Sequence, residues 1–159
     1  MDVNRSHWVW MPHAGHFILG NRCSFKMNTY VNGYIVSTVG ELMQEAYFSK
    51  MRKQSDWRSD VYLDYIMKDV PEDWREYLSR FDCVGDTGFY ETMIFKGIPR
   101  KDEDEAVCCP YEAVVVGSPF YEKRYNLPMD AFKGHIEMCR ECDKESPEFI
   151  QEDEDEDVD

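Results

Sequence analysis

The segment NTYVNGYIVSTV at positions 28–39 constrains the fold of this chain more than any other. Asn32-Gly33 lies between runs of β-branched and aromatic residues, which is the pattern of a β-hairpin with a two-residue type I′ turn. On the second arm Tyr34 faces one side and Ile35 the other, as the period-two alternation of a strand requires. The segment therefore predicts an antiparallel sheet that is built on this hairpin.

Other segments carry strand and helix patterns that place the hairpin in a mixed fold, because apolar residues recur there at period two or at helical spacing. The predicted elements are strands at 16–25, 28–39, 89–95 and 111–116, and helices within 41–80 and at 131–143. Together they predict the α+β fold class, in which a small antiparallel sheet with a β-hairpin packs against several helices.

Glycines, prolines and acids indicate where these elements end. Gly40 is predicted to end the second strand of the hairpin, and a loop is predicted between the prolines of 119–128. Pro71 is followed by two acids and predicts a helix start, since proline suits the first turn and acids suit the helix dipole. Asp130 is the predicted N-cap of the last helix. Around Val9, two tryptophans alternate and predict a short strand at the N-terminal end.

The chain is strongly acidic, with a formal net charge of −14 over 159 residues. Its last nine residues, QEDEDEDVD, hold seven acids and no base, so they predict a disordered acidic tail over 151–159 that follows one domain over 1–150. Acidic surfaces repel nucleic-acid backbones, which disfavours direct DNA or RNA binding. The expected partner is a protein with a basic surface.

The N-terminal residues carry no apolar core of a secretory signal, and no run approaches the roughly 18 apolar residues of a membrane span. We therefore expect a cytoplasmic protein in a reducing compartment. There its six cysteines are expected to be metal ligands, catalytic groups or core residues rather than disulfides.

The segment GHIEMCREC at 134–142 predicts part of a zinc site. At about 100° per residue on a helix, Cys139 lies about 40° from His135 and Cys142 about −20° from it, so the three side chains can converge. A structural zinc ion needs four N or S ligands in a tetrahedron, and this helix can supply two of them. The remaining ligands must come from another segment.

The strongest candidates for those ligands are Cys108 and Cys109, which precede a predicted strand, and then Cys23. His13 and His16, which are three residues apart, are further candidates. The preferred set is Cys109, His135 and Cys139, completed by Cys23 or Cys142. The alternative is that these cysteines pack as small hydrophobic residues in the core.

Three further functions stay open at this point. A cysteine nucleophile could work with a histidine base, using Cys23 or Cys109 with His16 or His135. A metal-dependent hydrolase could use His13 and His16. An acidic helical region could imitate nucleic-acid phosphates, although lysines and arginines are interspersed in it. Its acids are Asp56, Asp60, Asp64, Asp69, Glu72, Asp73 and Glu76.

Four blocks of the sequence resemble small uncharacterised proteins that are encoded by tailed bacteriophages. The blocks are NRCSFKMNTYVNGYIVSTVGE, YETMIF, CCPYE and GHIEMC, and they cover about a third of the chain. The resemblance implies a protein made in the cytoplasm of an infected bacterium. It implies no catalytic residue, and it favours a non-enzymatic protein that binds and modulates a host protein. In that case Trp8 and Trp10 are candidate anchors for the partner.

Overall fold

The structure is a computed structural model that describes residues 7–11, 16, 22–43, 67–84, 88–99 and 113–148. Over these ranges the chain forms a six-stranded antiparallel sheet and two helices, so the α+β class is confirmed. The sequence predicted several helices, and the described residues form two. Most of the helical pattern in 41–80 lies outside the described residues. Neither described helix is long and apolar enough to cross a membrane.

The predicted hairpin is confirmed as strands β2 (Cys23–Val31) and β3 (Tyr34–Met43). Its turn residues Asn32 and Gly33 have φ angles of 49° and 84°, and a type I′ turn needs positive values at both positions. Asn32 also donates a side-chain hydrogen bond to the carbonyl of Cys142, with an N–O distance of 3.1 Å. The hairpin turn therefore binds the end of the last helix.

Four more strands complete the sheet: β1 (Val9–Trp10), β4 (Phe81–Asp82), β5 (Tyr90–Pro99) and β6 (Ala113–Tyr125). The strand order is β1-β2-β3-β5-β6, and β4 pairs with the end of β3. The short strand predicted around Val9 is thus confirmed, and β3 and β5 lie at the centre of the sheet.

Helix α1 (Glu72–Leu78) follows Pro71, as predicted, and α2 (Pro128–Cys142) packs across one face of the sheet. Buried side chains of α1, α2 and β5 share one apolar cluster, in which Leu78, Tyr90 and Ala131 are fully buried. The cluster holds α1 and the N-terminal end of α2 against the same part of β5.

Two strand boundaries differ from the prediction. Strand β3 continues through Gly40 to Met43, because the ring of Tyr90 packs directly over this glycine; a Cβ there would lie 2.1 Å from a ring carbon. Strand β6 runs to Tyr125 instead of ending at residue 116. Pro119 is tolerated inside it because it falls where the β5–β6 register shifts, so that no ladder hydrogen bond depends on its missing N–H.

Two other boundaries also differ. The predicted strand 16–25 contributes residues 23–25 to β2, and residues 17–21 lie outside the description. Helix α2 begins at Pro128 with Leu127 as N-cap, so Asp130 lies in the first turn and is not the cap. Proline is preorganised for the first helical position, which explains the earlier start.

Helix α2 can approach the sheet closely because residue 134 is glycine. A Cβ at this position would lie 2.0 Å from the hydroxyl oxygen of Tyr125 on β6. We predict that Gly134→Ala destabilises the protein by about 1–3 kcal/mol through overpacking, although alanine normally favours a helix interior. Urea denaturation measures the change. Lys133→Ala, at an exposed neighbour, is the control and should shift stability by less than about 0.5 kcal/mol. A stabilised Gly134→Ala protein would contradict this packing.

Candidate functional site

His135, the first residue of the predicted zinc set, is fully buried between α2 and the sheet. Its Nε2 lies 2.8 Å from the Thr29 hydroxyl on β2, and its Nδ1 lies 2.7 Å from the Thr38 hydroxyl on β3. The Thr38 hydroxyl lies 2.6 Å from that of Thr92 on β5. Both ring nitrogens are therefore hydrogen-bonded to the sheet, and neither is directed at a metal ion.

Burial lowers the pKa of His135 to about 3, so the imidazole is neutral at neutral pH. A neutral imidazole has one N–H donor and one acceptor nitrogen. A threonine hydroxyl can serve either role, so one threonine accepts from the ring and the other donates to it. Every polar atom of the ring is satisfied, as a buried histidine requires.

Cys139 and Cys142 are also fully buried, on the same side of α2 as His135, as the helical spacing predicted. They pack in an apolar cluster with Trp8, Val31 and Val36. Burial raises the pKa of the Cys142 thiol, whereas zinc binds the thiolate. Both side chains therefore occupy the positions of small hydrophobic residues in the core.

Cys23, the fourth candidate ligand within the described residues, packs in a separate cluster with Val39 and Leu42. Burial raises the pKa of its thiol to about 11. In the part of the chain that is described, no three His, Cys, Asp or Glu side chains converge on a metal position. Cys108, Cys109 and His13 lie outside that part. The zinc site that includes them stays a prediction.

The two tryptophans near the N-terminus have different environments. Trp8 is buried in the core and donates its indole N–H to Asp143, at 3.0 Å. Trp10 is 53% exposed and stacks on the His135 ring with a centroid distance of 5.8 Å. The prediction of a partner anchor is therefore wrong for Trp8, since its indole surface is already covered.

His16 belongs to a polar network on the sheet face opposite α2. Its Nδ1 lies 2.8 Å from the Ser37 hydroxyl, and its Nε2 lies 3.3 Å from the Glu91 carboxylate. Arg124 donates to the same carboxylate at 2.9 Å. The order serine, histidine, carboxylate resembles a nucleophile with its base. However, Ser37 is fully buried and Glu91 is 2% exposed, so the network lies in the interior and offers no accessible nucleophile.

A groove of about 510 Å³ opens between α1, the end of β3 and the start of α2. Its lining combines two carboxylates, two aromatic rings and a proline. The lining residues are Glu41, Asp73, Trp74, Tyr77 and Pro128. The three residues from α1 face the groove together because they are spaced three and four apart on one side of the helix.

Glu41 is held at this groove by an unusual backbone conformation. Its φ of 53° lies in the left-handed region, which costs a residue with a side chain about 1–3 kcal/mol. The carboxylate accepts hydrogen bonds from Tyr90 at 2.9 Å and from Ser24 at 2.8 Å. Burial, and after it hydrogen bonding to Glu41, raises the pKa of Tyr77. Hydroxyl groups of the protein thus orient the carboxylate.

No described lysine or arginine lines the groove. Neither Glu41 nor Asp73 forms an ion pair with a described lysine or arginine, and the carboxylate of Glu41 accepts its hydrogen bonds from hydroxyl groups. Arg75, the nearest base in sequence, donates to the backbone carbonyl of Val70 instead, at 3.0 Å. The groove therefore combines negative charge with aromatic walls, a composition that suits a cationic group.

The sequence pattern places Asp73 in a diffuse acidic region and does not single out Glu41 or Tyr77. The sequence predicts that the strand ends at Gly40 and that Glu41 begins a helical stretch, whereas Glu41 lies in β3. A signal was present in the sequence, because a short amphipathic helix with Trp74 and Tyr77 at i and i+3 presents both rings on one side. The residues that face this side of α1, Glu41 and Pro128, are distant in the sequence, so the local sequence pattern could not identify them.

Comparisons with known proteins leave the family of this chain open. A scan against protein-family models, a search of curated proteins and a search of solved structures each returned no match.

We predict that protonation of His135 makes the protein less stable at acid pH. The unfolded chain binds a proton near pH 6.5 and the folded chain only near pH 3, so unfolding becomes easier as pH falls through this window. Gln can replace both hydrogen bonds but does not titrate. Between pH 6.5 and 5, the natural protein should lose about 1.5 kcal/mol more unfolding free energy than His135→Gln.

Urea denaturation at several pH values measures this difference, and the acidic residues shared by the two proteins cancel in the comparison. Parallel stability curves for the two proteins would show that His135 titrates normally and would contradict the hydrogen-bonded arrangement.

Proposed function

We propose that this protein is a non-enzymatic binding protein that recognises a basic surface of a protein partner. The observation that carries the proposal is the groove, where the carboxylates of Glu41 and Asp73 meet two aromatic rings without a described cation to neutralise them. A partner with a projecting basic group would supply the missing charge. Attraction between that cation and the aromatic rings would add to the affinity.

The charge of the whole chain supports the same partner. A net charge of −14 attracts a basic surface over a distance of about one Debye length and raises the rate of association. The described segment 67–84, which includes α1, holds five acids and three bases, so the groove lies in a region of the same sign as the whole molecule. Long-range attraction and the local groove would then favour one orientation of the partner.

The burial of the described candidate nucleophiles supports binding rather than catalysis. Ser37, Cys23 and Cys139 are each at most 2% exposed, and none of them lines the groove. A substrate in the groove would meet carboxylates, rings and a phenol hydroxyl. The proposal does not depend on zinc, because the predicted ligands His135 and Cys139 lie outside the groove lining.

The likeness of four sequence blocks to proteins of tailed bacteriophages suggests a host protein as the partner. Two of those blocks build β2, β3 and β5, which form the sheet that supports the groove. Small proteins in that setting act by binding host factors, so a protein of the infected bacterium is the partner that we propose.

We predict that a groove variant loses this partner while a charge-matched variant keeps it. The groove variant is Glu41→Gln with Asp73→Asn. The control is Glu137→Gln with Glu145→Gln, at two positions that are exposed and outside the groove lining. Both variants remove two negative charges, so general attraction weakens equally in both.

The experiment is capture from a bacterial lysate, with identification of the captured proteins by mass spectrometry. A protein rich in lysine and arginine should bind the natural protein and the control but not the groove variant. Raising the salt from about 0.1 M to 0.5 M should release it, since screening shortens the range of the attraction. Recovery of the same proteins with both variants would overturn the proposed function.

A further inference from the structure

The walls of the groove include two aromatic rings whose planes differ in direction. The Trp74 and Tyr77 rings meet almost at a right angle, with an interplanar angle of 81° and centroids 5.7 Å apart. Two perpendicular rings form a corner, and Pro128 adds a third apolar surface. A guanidinium group can stack its flat, weakly hydrated face on one ring while its edge points at a carboxylate.

The carboxylate of Glu41 is oriented by hydrogen bonds and could accept bonds from the edge of a guanidinium group. Ser24 donates to one oxygen and Tyr90 to the other, so the group is fixed without a counter-ion. The two oxygens of a carboxylate have about four lone-pair sites, so Glu41 keeps acceptor capacity beyond its bonds to the hydroxyl groups of Ser24, Tyr90 and Tyr77. Two parallel N–H···O bonds from a guanidinium can use that capacity.

The left-handed backbone at Glu41 determines where its carboxylate lies. Glycine takes this conformation at no steric cost, but position 41 holds a glutamate with φ of 53°. The side chain is thereby directed to Tyr90 and to the groove, on the strand that carries Gly40 beneath the Tyr90 ring. A strained residue that carries a charge into an open groove is characteristic of a binding position.

Lysine matches this groove less well than arginine. Its ammonium is a compact and strongly hydrated point charge, and it cannot form the parallel pair of bonds that a carboxylate accepts from a guanidinium. The groove is open to solvent at its mouth, so an occupant that must lose a tight hydration shell gains less there.

We propose that the groove binds an arginine side chain of the partner, with the guanidinium paired to Glu41 and stacked in the corner of Trp74 and Tyr77. This inference rests on the proposed function, since it names the group by which a basic partner is recognised. Asp73, at the rim on α1, adds a second negative charge to the same cation.

The test is an NMR titration of the full chain with three blocked pentapeptides, which differ only at the central residue: acetyl-Gly-Gly-Xaa-Gly-Gly-amide with Xaa arginine, lysine or citrulline. The arginine peptide should shift the Trp74 indole signal and the backbone amides of 73–77. It should bind at least about threefold more tightly than the lysine peptide, and the uncharged citrulline peptide should not bind.

Variants test the residues in the same titration. Glu41→Gln should weaken binding of the arginine peptide at least about fivefold. Asp73→Asn, at an exposed position of α1, should weaken it less, and it keeps the test valid if the Glu41 variant fails to fold. Glu76→Gln is the matched control, because Glu76 lies on α1 with its side chain 91% exposed and does not line the groove. It should leave binding unchanged.

The outcomes separate this inference from the function on which it rests. Equal binding of the arginine and lysine peptides, or equal weakening by Glu41→Gln and Glu76→Gln, would overturn the arginine assignment and leave a general basic partner in place. If no peptide binds but the lysate partner still depends on the groove, the arginine assignment is overturned and the proposed binding function is not. Arginine binding that Glu41→Gln abolishes supports the inference.

Discussion

The buried imidazole of His135 is the contact on which the arrangement of helix and sheet depends. It joins α2 to the two strands of the hairpin through Thr29 and Thr38, next to an apolar cluster that includes Val31 and Val36. Apolar contacts alone would permit α2 to slide or rotate, because dispersion and burial have little directionality. Two hydrogen bonds from one rigid ring fix both the rotation and the height of the helix, and they leave no buried polar atom of that ring unpaired.

The groove depends on this placement through a short chain of contacts. Once α2 is fixed, Pro128 at its first turn becomes one wall of the groove, and Ala131 packs in the cluster that contains Tyr90. Tyr90 lies over Gly40 and donates its hydroxyl to Glu41, so the ring that completes the core also orients the charged group. The structural core and the proposed recognition site therefore share one aromatic residue, and a change that shifts α2 should alter the groove as well.

How much the sequence could predict follows from how local each feature is. The hairpin was predicted because its turn chemistry lies in two adjacent residues, and the stripe of His135 and Cys139 was predicted because helical spacing is local. The partners of that stripe lie about a hundred residues away in the sheet, so the hydrogen bonds of His135 to two threonines could not be predicted from the local sequence. The same limit applies to Glu41, since its conformation depends on Tyr90, 49 positions later.

The most direct test of this account is the side-chain ¹⁵N spectrum of His135, recorded from pH 7 to pH 5 on the full chain. We predict a neutral ring in a single tautomer whose Nδ1 and Nε2 shifts stay constant over this range, because the folded protein does not protonate it there. Two ring nitrogens that move together with a midpoint near pH 6.5, or a nitrogen shift typical of a bound metal ion, would contradict the account.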